Sequence, residues 1–166
     1  MKKIFLVLTI MFIFSTNMFA KIILPSVFAD NMVLQQNSEV AIWGWSDPGE
    51  TVKIVTSWNS KDTVKVKANN AAAWKTTIRT IGAGGPYSIQ ILGNGGMKLS
   101  NVMLGEVWIC SGQSNMEMSV NWKLINGEEE AAKANNPNIR IFHVQKIGAD
   151  YPQQTCNSTW TLCTPE

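Results

Sequence analysis

The sequence predicts a β-rich accessory domain over residues 21–104, a β-sandwich of jelly-roll type, followed by the start of an α/β domain over residues 105–166. The first domain is indicated by short stretches of alternating apolar and polar residues, with turns rich in glycine, proline and asparagine between them. The second is indicated by a continuous apolar run at residues 107–110 and a glycine turn directly after it, which is typical of a buried strand in a parallel sheet.

Residues 1–20 have the composition of a signal peptide. Lys2 and Lys3 form a basic start, and residues 4–14 form an apolar stretch that is too short to span a bilayer. Ala20 offers a small residue for cleavage before Lys21, and an uncleaved membrane anchor is the alternative. We therefore expect an exported protein, periplasmic or extracellular, with no membrane attachment after cleavage.

The charge balance excludes two classes of partner. Loss of Lys2 and Lys3 leaves 12 of the 14 Lys and Arg residues, which balance the 12 Asp and Glu residues. Nucleic acids and anionic membranes bind basic surfaces, so neither is expected as a partner of the mature chain.

The β-rich region is divided into strands by its turns. One predicted strand places Val52, Ile54, Thr56 and Trp58 on a single face. Proline and glycine favour turns because of their restricted and permissive backbone angles respectively. The predicted strands are residues 40–45, 51–58, 64–68, 74–78 and 89–91, and the predicted connections are residues 47–50, 69–70, 82–86 and 93–96.

The tryptophans of this region have two interpretations. Indole rings carry a large apolar area, so Trp43 and Trp58 are expected in the core. Trp45 lies beside a turn and is the least certain to be buried. Exposed rings could instead stack on sugars, which leaves a carbohydrate-binding role open.

The second domain is expected to begin with a strand, a serine turn and a helix. Cys110 ends the apolar run and is expected to be a small core residue. Ser114 follows the end of the predicted strand, where open α/β sheets bind their ligands. A helix starting near Met116 would direct its N–H groups toward an oxyanion formed there. Ser114 is therefore a candidate nucleophile, and a serine that caps the helix is the alternative.

A βαβ unit is predicted after the motif. Residues 128–135 form a predicted helix with three glutamates in its first turn, and residues 139–144 form a second strand. This strand includes His143, which is expected to be a structural or surface residue, with a catalytic role as the alternative. The crossover between the two strands is expected to be right-handed. Residues 155–166 are predicted to form a loop, in which a disulfide between Cys156 and Cys163 is plausible for an exported protein.

No metal or cofactor is expected. The sequence has one histidine and no Cys-x-x-Cys pair, whereas zinc sites use several such ligands.

Residues 105–116 read GEVWICSGQSNM, and this run resembles the first block of the sialate O-acetylesterase family, a branch of the SGNH hydrolases. The resemblance extends to LPSVFADNMVLQQ at residues 24–36 and to NPNIR at residues 136–140. It implies a serine carbohydrate esterase, of which only the N-terminal portion is matched, with an SGNH-hydrolase-like domain after a β-rich accessory domain.

The resemblance also implies roles for individual residues. Ser114 would be the nucleophile, and its own backbone N–H would be an oxyanion donor. Gln113 and Asn115 flank it as candidate substrate-binding residues. The substrate would be an O-acetylated sugar, either sialic acid or a xylan-type glycan, and the reaction would be a two-step acyl transfer.

Several parts of the family's catalytic machinery are not found in the sequence. The family's general base is the histidine of an Asp-x-x-His motif, and His143 is not part of such a motif because residue 140 is an arginine. The glycine and asparagine that the family's later sequence blocks supply to the oxyanion hole are not found either. We expect a truncated family member that is inactive alone, with an exposed apolar surface after Leu104. A non-catalytic β-sandwich module that binds glycans or packs against a partner is the alternative function.

Overall fold

The computed structural model describes residues 21–165, so the predicted signal peptide lies outside the described residues. This part of the chain is mostly β-structure, with one α-helix, α1 (Gly127–Lys133), and two short 3-10 turns, Ser114–Glu117 and Val120–Trp122. Its strands are β1 (Val33–Gln35), β2 (Glu39–Trp45), β3 (Thr51–Thr56), β4 (Asn59–Lys67), β5 (Ala73–Arg79), β6 (Gly84–Leu92), β7 (Met97–Gly105), β8 (Asn136–Phe142) and β9 (Trp160–Cys163).

The strands form three sheets. The largest has the order β1-β7-β6-β3-β4, and all its pairs are antiparallel except the parallel pair β1–β7. Strands β2 and β5 form a second, antiparallel sheet, and β8 and β9 form a third. The β-rich character predicted for residues 21–104 is confirmed, while the jelly-roll type stays a prediction.

One apolar core joins the first two sheets. In β3, Val52 and Ile54 are buried while Lys53 between them is exposed, as period-two alternation requires. Ile42 of β2 and Ile89 of β6 belong to the same buried cluster. Burial of large aliphatic side chains on two facing sheets supplies the main driving force for folding of this region.

The predicted turns and most predicted strands are confirmed. The first turn is closed by the Glu50 N–H, which donates to the Asp47 carbonyl at 3.0 Å, and Gly49 takes the positive φ of +78° that its position requires. Two details differ: β3 ends at Thr56, so that Trp58 lies in the following turn, and β6 already begins at Gly84 within the predicted connection.

The core interpretation of Trp43 and Trp58 is confirmed. Both are half-buried and pack against the central cluster. Trp43 packs edge-on against Phe28, with ring centroids 4.6 Å apart, and the Trp58 Nε1–H donates to the Arg79 carbonyl at 3.0 Å. These contacts leave less of either ring available for stacking on a sugar.

The strand predicted at residues 107–110 is wrong. These residues form no strand, and 82% of Trp108 and 95% of Ile109 are exposed. Cys110 is exposed as well, so its expected core position is also wrong. A strand needs a hydrogen-bonded neighbour, and none of the residues 21–165 pairs with this run.

The predicted βαβ unit is not formed. The helix is present as α1, but β8 pairs antiparallel with β9, which lies in the segment predicted as a loop. Because the first strand is absent, there is no right-handed crossover. His143 is exposed just beyond the end of β8 instead of inside it. The expected disulfide is not formed either, since Cys156 and Cys163 are free thiols.

The expected apolar surface after Leu104 is present. Many large hydrophobic side chains between Val107 and Leu162 are exposed, among them Trp122 and Ile125. Within the described ranges, no helix is both long enough and apolar enough to cross a membrane.

Candidate active site around Ser114

The serine motif begins where the five-stranded sheet ends. Strand β7 finishes at Gly105, which is paired with Gln35 at the end of β1. The Gln36 N–H donates to the Gly105 carbonyl at 2.9 Å. The chain therefore enters the motif from an ordered strand end.

Glu106, the next residue, is held by two glutamine side chains. Gln35 Nε2 donates to Glu106 Oε2 at 3.0 Å, and Gln36 Nε2 donates to Glu106 Oε1 at 2.7 Å. These two hydrogen bonds stabilise the ionised carboxylate and lower the pKa of Glu106 below its usual value.

Ser114 is the first residue of a 3-10 turn. The turn is preceded by Gln113, whose carbonyl accepts from the Met116 N–H at 2.9 Å. The capping position belongs to Gln113, and no side chain caps the turn, so Ser114 is not the capping serine of the alternative interpretation. The regular helix predicted from Met116 is limited to this single turn, Ser114–Glu117.

The polar groups of Ser114 are unoccupied by the rest of the described chain. Ser114 is exposed, and neither its hydroxyl nor its backbone N–H forms a hydrogen bond with another residue of the described part. Both groups are therefore open to solvent, and no described imidazole contacts the hydroxyl.

The neighbours of Ser114 are placed as follows. Gln113 and Asn115 are both exposed, and the Asn115 carbonyl accepts from the Met118 N–H at 3.4 Å. Glu117, at the end of the turn, forms an ion pair with Lys146 from the segment after β8. This pair connects the serine turn to the C-terminal part of the chain.

Within the described part of the chain, His143 forms a hydrogen bond through its backbone carbonyl and none through its ring. Its carbonyl accepts a hydrogen bond from the Ser158 hydroxyl at 2.5 Å, and the ring forms none with another described residue. The structure does not bring His143 and Ser114 into a hydrogen-bonded pair.

A cavity of about 870 Å³ lies between the end of β7, the start of the motif and β8. Its lining includes Glu106, Trp108, Cys110 and Arg140, but not Ser114. Arg140 Nη2 donates to Asn101 Oδ1 at 3.4 Å, and desolvation lowers the pKa of Arg140.

The remaining arginine nitrogens, Nε and Nη1, are buried and have no partner among the described residues. Among residues 21–165, no group of three or more His, Cys, Asp or Glu side chains is placed so that it could hold a metal ion.

Comparison with known proteins identifies relatives of the whole region. The chain is 34% identical to the sialate O-acetylesterase of Mus musculus over 134 residues, which are 74% of this chain and 25% of the mouse protein. It is 34% identical to the sialate O-acetylesterase of Homo sapiens over 136 residues, 75% of this chain and 26% of the human protein. The chain is a homologue of the sialate O-acetylesterases. The resemblance stated from the sequence is thereby confirmed.

A solved structure supports the same relationship. The crystal structure of a carbohydrate acetylesterase from Xanthomonas citri matches with a TM-score of 0.80 and 32% identity, covering 87% of this chain and 33% of that one. The chain spans about a quarter of the length of the curated relatives it matches. No family model matches the chain.

Sequence reasoning did not assign a role to Gln35 and Gln36. They lie in the stretch LPSVFADNMVLQQ, which contributed only to the resemblance. Two adjacent glutamines directly after the apolar pair Val33 and Leu34 were the available signal, but their partner, Glu106, lies 71 positions after Gln35 and 70 after Gln36.

Proposed function

We propose that this chain belongs to a carbohydrate O-acetylesterase in which Ser114 is the nucleophile. The observation that carries the proposal is the shared ancestry with sialate O-acetylesterases over about three quarters of the chain. The likeness to a carbohydrate acetylesterase of known structure supports the same class of reaction. A hydrolase that acts on carboxylic esters of sugars accounts for both relationships.

The proposed reaction is a two-step acyl transfer. The Ser114 hydroxyl attacks the acetyl carbonyl, the sugar hydroxyl leaves, and the resulting acetyl-serine is hydrolysed to acetate. The unoccupied N–H of Ser114 would donate to the oxyanion of each tetrahedral intermediate. Exposure of the serine turn supports this assignment, because the substrate must reach the hydroxyl.

The substrate is an O-acetylated sugar, with O-acetyl sialic acid the first candidate and acetylated xylan the second. Gln113 and Asn115 are the proposed substrate-binding residues because their exposed side chains flank the nucleophile. Amide side chains both donate and accept hydrogen bonds, which suits the hydroxyl and acetyl groups of a sugar.

The 166-residue chain on its own is proposed to be nearly inactive. A serine hydroxyl is a weak nucleophile at neutral pH unless a base removes its proton. Ser114 has no such hydrogen-bonded base among the residues described.

We propose the following organisation for the chain: a signal peptide at residues 1–20, a β-rich accessory domain at residues 21–104 and the start of an SGNH-hydrolase-like domain at residues 105–166. The protein would be exported to the periplasm or beyond. The end of β7 at Gly105 supports the proposed boundary, because the core strands stop there.

The test is release of acetate from O-acetyl sialic acid by the 166-residue protein and by its Ser114→Ala variant. We expect both proteins to release acetate at the same slow rate. Rapid release that Ser114→Ala abolishes would contradict the proposed inactivity. Rapid release that persists in Ser114→Ala would contradict the role of Ser114.

The alternative of a glycan-binding module has its own test. Calorimetric titration of the same 166-residue protein with sialic acid and xylan oligosaccharides should give no saturable heat. Saturable heat that is unchanged in Ser114→Ala would favour the binding module.

A further inference from the structure

A polar contact joins the end of β1 and the turn after it to the first residues of the serine motif. It consists of the side chains of Gln35, Gln36 and Glu106, and we refer to it as the glutamine clamp. Four hydrogen bonds of 2.7–3.0 Å pass through the two amides. Each glutamine donates through its Nε2 and accepts through its Oε1, so each amide group is held in one orientation.

The two amides perform matched tasks. Gln35 Nε2 donates to the Glu106 carboxylate, and Gln35 Oε1 accepts from the Val107 N–H at 2.9 Å. Gln36 Nε2 donates to the other carboxylate oxygen, and Gln36 Oε1 accepts from the Ala83 N–H at 2.7 Å. A glutamate at position 36 would keep the bond to Ala83 but could not donate to Glu106, because an ionised carboxylate only accepts.

The clamp is fixed to the core of the β-rich region. The Gln35 carbonyl accepts from the Thr80 hydroxyl at 2.7 Å, and Thr80 is only 3% exposed. On the other side of the clamp, residues 108–112 form no hydrogen bond with any other described residue. Val107 is therefore the last hydrogen-bonded point before the turn that carries Ser114.

We propose that Gln35 and Gln36 are positioning residues, which set the direction in which the chain leaves the β-rich region toward Ser114. This inference rests on the proposed role of Ser114 as the nucleophile. It makes the accessory domain part of the active-site architecture, because the two amides that orient the motif come from residues 21–104. The glutamines act through Glu106 and Val107 and do not touch the reacting atoms.

The test exchanges the two partners. Gln36→Glu places two carboxylates against each other and breaks the clamp. In the double variant Gln36→Glu/Glu106→Gln, the new amide can donate to position 36 and accept from Gln35, so the network is restored with reversed polarity. Gln90→Glu, an exposed position on β6, is the matched control for the added charge.

Amide hydrogen exchange and backbone resonances of the 166-residue protein are measured by NMR. We expect Gln36→Glu to accelerate exchange at Val107 about three- to tenfold, the size of one lost hydrogen bond, and to shift the Ser114 amide resonance. The double variant should restore both signals, and Gln90→Glu should change neither. A structural contact alone would not move Ser114.

Two results would overturn the proposal. One is a Gln36→Glu protein in which Val107 or Ser114 behaves as in the control, and the other is a double variant that fails to restore them. Neither readout depends on esterase activity. An acetate-release assay that contradicts the role of Ser114 would therefore leave the clamp result unchanged. A failure of the clamp test would likewise leave the proposed esterase function unchanged.

Discussion

Thr80 is predicted to stabilise the end of β1, where Gln35 and Gln36 contact the start of the serine motif. Its single hydroxyl proton is shared between the carbonyls of Gln35 at 2.7 Å and Ser38 at 3.0 Å, and its oxygen accepts from the Ser38 N–H at 2.9 Å. Replacement by valine preserves shape and burial but removes all three hydrogen bonds. The Ser38 N–H then loses its only partner among the described residues, whereas the Ser38 carbonyl keeps the Thr80 N–H at 2.9 Å.

The magnitude follows from these contacts. The Ser38 N–H is only half-buried, so leaving it without a partner costs about 1 kcal/mol, the low end of the range for a buried group, and the lost donor costs about 1 kcal/mol more. Thr80→Val should therefore lower the free energy of unfolding by about 2 kcal/mol. Thr80→Ser keeps the hydroxyl and loses one methyl group, which costs about 0.8 kcal/mol. The more polar substitution is therefore expected to be the less harmful one.

Urea denaturation followed by tryptophan fluorescence compares the two variants with the parent protein. We expect the midpoint of Thr80→Val to be clearly lower than that of Thr80→Ser, with the same slope for all three proteins. A Thr80→Val protein that is as stable as Thr80→Ser, or more stable, would refute the reasoning, because apolar burial would then outweigh the hydrogen bonds.

Three further predictions concern the core, a close backbone contact and the clamp. Ile54→Ala, at a position 1% exposed, should lower stability by about 2–5 kcal/mol in the same denaturation assay, and a loss below about 1 kcal/mol would contradict the assigned core. Gly44→Ala should cost about 1–3 kcal/mol, because its new Cβ would lie 2.5 Å from the Ile23 carbonyl oxygen; a neutral effect would contradict this approach. The pKa of Glu106 measured by NMR should lie below that of an ordinary glutamate, so that its contribution to stability is present above the ordinary glutamate pKa and is lost as the pH falls through the lower folded pKa; an ordinary or raised pKa would contradict the clamp.

The β-rich region was largely predictable because its signals are local. Alternation in β3 and Gly49 at the turn before it depend only on neighbouring residues. Strand β7 was harder to recognise. Asn101 has a φ of +55°, and β6–β7 pairing shifts register nearby, so burial passes from Leu99 to Val102 and breaks the period of two.

The region after β7 was predicted less well because its structure depends on distant partners. The apolar run at residues 107–110 has the composition of a buried strand, but no described segment pairs with it. Strand β9 forms in the segment predicted as a loop because β8 pairs with it, and Trp160 anchors it by donating to the Val27 carbonyl at 2.8 Å. Ser114 could be proposed as a nucleophile from its motif, whereas the glutamine clamp required the fold.

The most direct test of the proposed function is a chimeric enzyme. The matched region of the Xanthomonas citri carbohydrate acetylesterase is replaced by this chain, and folding is verified by a cooperative thermal transition. Acetate release from O-acetylated sugars is then measured for the chimera and for its Ser114→Ala variant.

We expect the folded chimera to release acetate and Ser114→Ala to reduce the rate at least about a thousandfold, as loss of a nucleophile does. A folded chimera without activity, or one that keeps its activity in Ser114→Ala, would contradict the assignment of Ser114 as the nucleophile.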